Sequence, residues 1–153
     1  MNSRRDRGLT AVELIVVIVV IGIGAAVTVP ALLRSGRNDL MARCESNLRG
    51  LWKADSDRRA KGGAAPAARG RAYWEAVSGD GKDLLTCPLP GHAPYRGPAT
   101  DPGSLHPLDL MGADAPGSHG PGEGGNFLLK NGDVRACRER DPVWKLAAER
   151  LAP

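Results

Sequence analysis

Aromatic residues are scarce in this sequence of 153 residues. One phenylalanine, two tyrosines and three tryptophans make up 4% of the chain, which leaves little side-chain material for a large hydrophobic core. Glycine and proline are instead concentrated in one part: 15 of 20 glycines and 11 of 12 prolines lie between residues 61 and 153. That composition is typical of loop-rich chains. It predicts a small, irregular head over these residues.

The sequence also lacks the short motifs of common catalytic and metal sites. It contains no nucleophile elbow, no phosphate-binding loop and no Ser/Cys–His pattern. Its histidines, His92, His106 and His119, and its cysteines form no C-x-x-C or H-x-x-x-H spacing, and Asp114 and Glu123 are too few and too far apart for a calcium loop. We therefore predict that the protein is not an enzyme and has no cofactor and no metal site.

The charge balance gives no sign of nucleic-acid binding. The formal net charge is +4, and residues 1–8 alone contribute three arginines and one aspartate. Without them the net charge is close to +2, which is no basic footprint for nucleic acid. We expect no nucleic-acid partner.

One long apolar run is present, GLTAVELIVVIVVIGIGAAVTVPALL over residues 8–33, directly after the basic leader MNSRRDRG. Residues 14–33 are long enough to cross a bilayer as a helix, with only Thr28 and Pro30 unfavourable. Glu13 is the one charged residue within this apolar run. An ionised carboxylate inside a bilayer costs about 2.5–3.5 kcal/mol and is expected to have a partner.

This arrangement resembles the N-terminus of type IV prepilins and type II secretion pseudopilins. That family reads glycine, a cleavage point, F-T-L-I-E, and a long apolar run with a proline near its end. The resemblance implies that a prepilin peptidase cuts between Gly8 and Leu9 and that Leu9 becomes N-methylated. It also implies that Thr10, Glu13 and Pro30 act in assembly.

Glu13 has two explanations. In the first turn of a helix, its carboxylate interacts favourably with the positive end of the helix dipole. The resemblance further implies that it pairs with the methylated amine of a neighbouring subunit. Leu9 and Ala11 depart from the usual phenylalanine or methionine and leucine of the family, but both keep apolar character. Pro30 removes one backbone hydrogen bond and is expected to kink or locally melt the helix.

The function that the resemblance implies is structural. The chain is expected to be a pilin or pseudopilin of a type IV pilus or type II secretion pseudopilus. Its expected partners are a prepilin peptidase, other pilin or pseudopilin subunits, an inner-membrane assembly platform and the membrane itself. The implied location is the inner membrane, single-pass, with the N-terminus in the cytoplasm and the head in the periplasm, or an extracellular filament after assembly.

Other interpretations of the apolar run stay open. A secretory signal peptide would be cut near Ala25 and Ala26, and Ser3-Arg4-Arg5 is a weak twin-arginine signal. A plain single-pass anchor would carry a periplasmic ligand-binding or enzymatic domain that uses the region of His119. These alternatives leave Glu13 unexplained.

Helical periodicity continues beyond the apolar run. One predicted helix face, on spacings of three and four, carries Leu40, Met41, Cys44, Leu48, Leu51 and Trp52. The expected fold is α+β and pilin-like: a long N-terminal helix from Leu9 to about Arg59, its front half transmembrane, packed on a small loop-rich antiparallel β head. The expected parts are the leader 1–8, the transmembrane helix 9–33, the soluble half of the helical spine 34–60, and the head 61–153.

The head is predicted to end in a hairpin and a short helix. Asn131-Gly132 suits a two-residue type I′ turn. That register pairs Leu129 with Val134 and directs one strand face, with Phe127, Leu129, Val134 and Ala136, towards the helical spine. Asp141 as N-cap with Pro142 at the first helical position predicts a closing helix.

The segment HGPGEGGNFLLKNGDV, residues 119–134, resembles the H-x9-D-G ending of planctomycete prepilin-type proteins. Here eleven residues separate His119 from Asn131-Gly132, and asparagine replaces the usual aspartate. Three cysteines in a periplasmic head allow one disulfide and one free thiol. We predict a Cys87–Cys137 bridge, which would tie a loop to the hairpin, and a buried, unbridged Cys44 on the helix face.

Overall fold

The structure, a computed structural model, describes residues 11–79, 81–89, 92–120 and 122–153, without the side chains of residues 27, 30–37 and 82. The expected cleavage and methylation residues Gly8 and Leu9, and the expected assembly residue Thr10, lie outside the described residues. The chain divides into two units, Met1–Asn38 and Asp39–Pro153, and each is described by itself.

Helix α1 spans Ala11–Ala60 and contributes to both units. Charges at its two ends favour it: Glu13 lies in the first turn, and Arg58 and Arg59 lie in the last turn, so each complements the helix dipole. The backbone stays helical through Pro30, so the local melting expected at that residue is not observed.

The predicted transmembrane front half requires a correction. Among the helices of the described residues, none combines the length and the apolar character needed to cross a membrane. The finding contradicts the expected transmembrane helix over 9–33 and the expected single-pass inner-membrane location.

The second unit is an α+β head, with its sheets antiparallel. After α1 its elements are helix α2 Arg71–Ser78, strands β1 Gly97–Pro98, β2 Leu110–Ala113, β3 Gly125–Leu129 and β4 Val134–Cys137, helix α3 Pro142–Arg150 and strand β5 Leu151–Ala152. Strands β2, β3 and β4 form one sheet in that order, and β1 pairs with β5. Arg96 and Ala113 exchange two backbone hydrogen bonds, which link the start of β1 to β2.

Among the described residues of the head, two hydrophobic clusters stabilise the fold, and β3 belongs to both. The first cluster contains the predicted inner face of α1, with Cys44, Leu48 and Leu51 fully buried, together with Tyr73 and Trp74 of α2 and Leu128 of β3. The second cluster joins the other face of β3 to α3 and β5, and it contains Leu110, Ala113, Phe127, Leu129, Trp144, Ala147 and Leu151. All five residues of β3 are therefore buried.

The hairpin forms, but its predicted register is wrong by one residue. Leu128, not Leu129, pairs with Val134, and Phe127 pairs with Arg135. The turn is longer than predicted because the Leu129 N–H donates to the Asp133 carbonyl and the Gly132 N–H donates to the Leu129 carbonyl. A type I′ turn requires positive φ at both central residues, whereas only Gly132, at 91°, has it in this turn.

The one-residue shift exchanges the faces of β3. Leu128 packs on the cluster that includes the α1 face, and Phe127 and Leu129 pack against α3 instead. The predicted packing of Phe127 and Leu129 on the helical spine is therefore wrong. The predicted closing helix forms from Pro142 with Asp141 as its N-cap residue.

Candidate functional site

Four buried side chains of different chemistry meet inside the head. Cys44, Cys87, Asp114 and His119 place one donor atom each within 4.8 Å of one another, and all four residues are buried. We call this set the Cys–His–Asp cluster. It comes from three separate segments of the chain, α1, the loop after α2 and the stretch after β2, so only the tertiary fold assembles it.

Cys44 and Cys87 form a disulfide bond within this cluster. Cys44 lies on the inner face of α1, and Cys87 lies in the loop after α2, where its N–H donates to the Ala93 carbonyl at 3.0 Å. The predicted Cys87–Cys137 bridge is therefore wrong. Cys137 packs with the second hydrophobic cluster, while the two bridged sulfurs lie in the first, and its thiol donates instead to the Gly125 carbonyl at 3.5 Å.

Asp114 follows β2 directly and is held by the backbone of β3. Its Oδ2 accepts the Asn126 N–H at 2.7 Å, and its own N–H donates to the Asn126 carbonyl at 2.9 Å. Nε2 of His119 lies 2.9 Å from the same Oδ2 and 3.5 Å from Sγ of Cys87. A single carboxylate oxygen thus joins the strand backbone to the histidine beside the disulfide.

The charge of Asp114 has a buried counterpart in Arg96. Arg96 is 6% exposed, its Nε donates to the Asp114 carbonyl at 3.3 Å, and its guanidinium carbon lies 5.4 Å from the ring centre of Trp144. Burial lowers the pKa of Arg96, while the negative charge of Asp114 acts in the opposite direction. An arginine remains protonated in proteins, so the pair carries no net charge when Asp114 is ionised.

Tyr95 covers the α1 side of the cluster. Its hydroxyl donates to the Cys44 carbonyl at 3.5 Å, and the residue is 1% exposed. Burial raises the pKa of Tyr95, and the charge of Asp114 raises it further. The phenol therefore stays protonated in the folded head at neutral pH.

A second buried carboxylate, Asp55 near the end of α1, is paired with neighbouring charged and polar groups. The Tyr73 hydroxyl donates to its Oδ1 at 2.5 Å, Arg58 contacts the same oxygen at 2.7 Å, and Arg59 pairs with Oδ2. Burial raises the pKa of Tyr73. This network fastens α2 to α1 and explains how a charged residue is tolerated inside the head.

The Cys–His–Asp cluster is not arranged as a catalytic triad. In a triad the nucleophile and the carboxylate contact opposite nitrogens of the histidine ring. Here Cys87 and Asp114 both lie on Nε2, and the side chains of Asp114 and His119 are 0% exposed. The sulfur of Cys87 is also already bonded to Cys44, so this arrangement has no free nucleophile.

The structure brings together only part of the residues that the sequence singled out. His119 and Cys87 are in the cluster, whereas His92 and His106 are exposed. Glu13 is exposed in the first turn of α1. Sequence reasoning missed Cys44 as a bridge partner and Asp114 as the contact of His119. The resemblance around His119 was the available signal, because Cys44 and Cys87 lie far in sequence from Asp114 and His119.

Comparison with known proteins gives no relative: no family model matches the chain, and no significant match is found among curated proteins or solved structures.

Proposed function

We propose that this chain is a structural subunit of a type IV pilus or a type II secretion pseudopilus. A prepilin peptidase matures it by cutting between Gly8 and Leu9, and Leu9 is then methylated. The support is of two kinds: the prepilin-like sequence of residues 8–33, and the exposed apolar side chains of α1.

The exposed apolar side chains of α1 are the observation that carries the proposal. Val12 is 70% exposed and Ile21 is 65% exposed, and exposed large hydrophobic residues continue along α1 as far as Val29. Leaving so much apolar surface in water is unfavourable, and contiguous patches of this kind mark interaction sites. In a filament, the same segments of neighbouring subunits cover it.

Glu13 sets the register of that assembly. Its side chain is exposed in the first turn of α1, five residues after Gly8. After cleavage, the methylated amine of Leu9 still carries a positive charge. Pairing between this amine and Glu13 of the adjacent subunit fixes the axial offset between the two subunits, because any other offset leaves both charges without a partner.

Maturation is tested by producing the full chain together with a prepilin peptidase and sequencing the mature N-terminus. We expect a chain that starts at N-methylated Leu9. Gly8→Val should block the cut, whereas the matched variant Arg7→Lys should leave it unchanged. An uncut wild-type chain, or a cut near Ala25, would contradict the proposal.

Assembly is tested by co-purification with partner pilins. Glu13→Gln should be cleaved normally but should be lost from assembled complexes. Glu149→Gln removes an exposed carboxylate of α3 and serves as the control, with assembly unchanged. Equal recovery of Glu13→Gln and wild type in complexes would argue against the role of Glu13.

The cluster in the head gives no support to an enzymatic alternative. His119 is buried beside an existing disulfide, and its geometry offers no nucleophile. In the proposed subunit the head has a structural role.

A further inference from the structure

We propose that the Cys–His–Asp cluster is a zinc site that forms when the Cys44–Cys87 disulfide is reduced. The inference concerns the head alone and does not depend on the filament function. It revises the sequence-based expectation of no metal.

The donor set suits zinc. Two thiolates, one imidazole and one carboxylate are all ligands that Zn²⁺ accepts, and four such ligands complete a closed tetrahedral site. At ordinary zinc–ligand distances the donor atoms of a tetrahedral site lie about 3.3–3.8 Å apart. The four donors already lie within 4.8 Å of one another, so small side-chain movements bring them to these distances.

The carboxylate of Asp114 is only partly satisfied by hydrogen bonds. Oδ2 is occupied by the Asn126 N–H and by His119, whereas Oδ1 has no hydrogen-bond partner among the described residues. An ionised carboxylate oxygen buried without a partner is costly. A cation bound to the carboxylate lowers that cost, while the Asn126 N–H continues to orient the carboxylate.

The buried charges balance with the metal present. In the disulfide form, Arg96 and an ionised Asp114 cancel. In the zinc form, two thiolates cancel the charge of Zn²⁺, and Arg96 again cancels Asp114, with His119 neutral. Burial of an uncompensated charge is strongly unfavourable, so both forms are compatible with the same interior.

The disulfide and the metal exclude each other. Reduction by a dithiol transfers two electrons: the Cys44–Cys87 bond breaks, each sulfur gains a proton, and the reductant becomes a disulfide. Each thiol then releases its proton to solvent and forms a bond to Zn²⁺. His119 coordinates through Nε2 with its proton on Nδ1.

The zinc form would also hold more of the chain than the disulfide does. The disulfide ties α1 to the loop of Cys87. Zinc would keep that link and add Asp114 and His119, which lie on the segment after β2. For a head with few aromatic residues, such a link adds folding free energy directly.

Cobalt is the probe for this site, because Co²⁺ takes the same tetrahedral ligands and is coloured. The full chain is reduced, and the reductant is then removed without oxygen because free dithiols bind zinc. We expect one equivalent of Co²⁺ to give thiolate-to-cobalt absorption, and Zn²⁺ to abolish it. The oxidised chain should give no such absorption. Absence of the absorption in the reduced wild type would overturn the proposal.

Variants identify the ligands. Cys137→Ser is the matched control and should bind Co²⁺ like wild type. His119→Gln should weaken Co²⁺ binding and change the cobalt spectrum. The loss should be at least as large as the about 10–100-fold that follows when a residue hydrogen-bonded to a metal ligand is removed. Its folding is checked in the oxidised state, where the disulfide is intact. Loss of binding in Cys137→Ser, or an unchanged affinity in His119→Gln, would overturn the proposal.

Alkylation of the reduced wild type needs no variant. Bound Zn²⁺ should protect Cys44 and Cys87 from alkylation and leave Cys137 equally reactive with and without metal, as mapped by mass spectrometry. Protection of Cys137 instead, or no protection of Cys44 and Cys87, would overturn the site.

Discussion

The indole N–H of Trp52 on α1 donates a hydrogen bond to the backbone carbonyl of Lys130 at 2.9 Å. Lys130 is the first residue after β3, so this bond joins the N-terminal helix to the β3–β4 turn. The same indole lies against Gly132, where an added Cβ would come within 2.6 Å of its ring. The contact explains how a turn of an otherwise loop-rich head is held against the helix.

The turn should not accept a side chain at position 132. Gly132→Ala places a Cβ at a φ of 91° and against the Trp52 ring. Gly117→Ala has a similar positive φ, 76°, but open space around it. We expect Gly117→Ala to cost about 1–2 kcal/mol and Gly132→Ala about 1–3 kcal/mol more in the free energy of unfolding. Urea denaturation of both variants measures the difference, and equal losses would contradict the Trp52 contact.

Removal of the disulfide should destabilise the head. The double variant Cys44→Ala/Cys87→Ala opens a loop with a sequence separation of 43, for which chain entropy predicts a loss of about 4 kcal/mol. The control, Cys137→Ala, removes the free thiol and should cost about 1 kcal/mol or less. Denaturation measures both. Mass mapping that finds Cys87 joined to Cys137 would contradict the assignment.

The buried Arg96 should matter more than an exposed arginine. Arg96→Met leaves the charge of Asp114 without its counterpart and removes the 3.1 Å hydrogen bond to the Ala147 carbonyl, so we expect a loss of about 3–5 kcal/mol. Arg135, 61% exposed, pairs with Asp133 at the surface, and Arg135→Met should cost at most about 1 kcal/mol. Similar losses in the two variants, measured by denaturation, would show that Arg96 is not a charge partner.

Lys130 should make the stability of the head depend on pH. Burial lowers its pKa from 10.5 to about 8, with the charge of Arg59 acting in the same direction, and its Nζ lies 2.6 Å from the Pro102 carbonyl. The unfolded chain therefore binds more protons than the folded chain between about pH 8 and 10.5. The contribution of Lys130 to the free energy of unfolding should therefore rise as the pH increases across this window.

The measurement requires a background without the free thiol. Burial raises the pKa of Cys137, so ionisation of its thiol favours the unfolded chain as the pH rises and opposes the effect of Lys130. In Cys137→Ser, denaturation between pH 7.5 and 9.5 should show stability rising with pH, and Lys130→Met should remove the rise. An identical pH profile with and without Lys130 would contradict the shifted pKa.

The sequence predicts the helical parts of this fold better than the pairing of its strands. The spacing of Cys44, Leu48 and Leu51 depends on local periodicity, and their burial confirms it. The register at Leu128 depends on the φ of one turn residue, which the Asn-Gly pair does not determine. The Cys–His–Asp cluster depends on contacts between distant segments, and no local pattern predicts it.

Burial of β3 on both faces limits which substitutions the protein tolerates. A strand with one face in water can exchange its outward residues freely, whereas each of the residues from Gly125 to Leu129 has a packed neighbour. At Gly125 an added Cβ would come within 2.9 Å of Asp114 and 3.0 Å of Trp144. We therefore expect the amino-acid sequence of this short segment to change more slowly among homologous proteins than the sequences of the glycine-rich loops beside it.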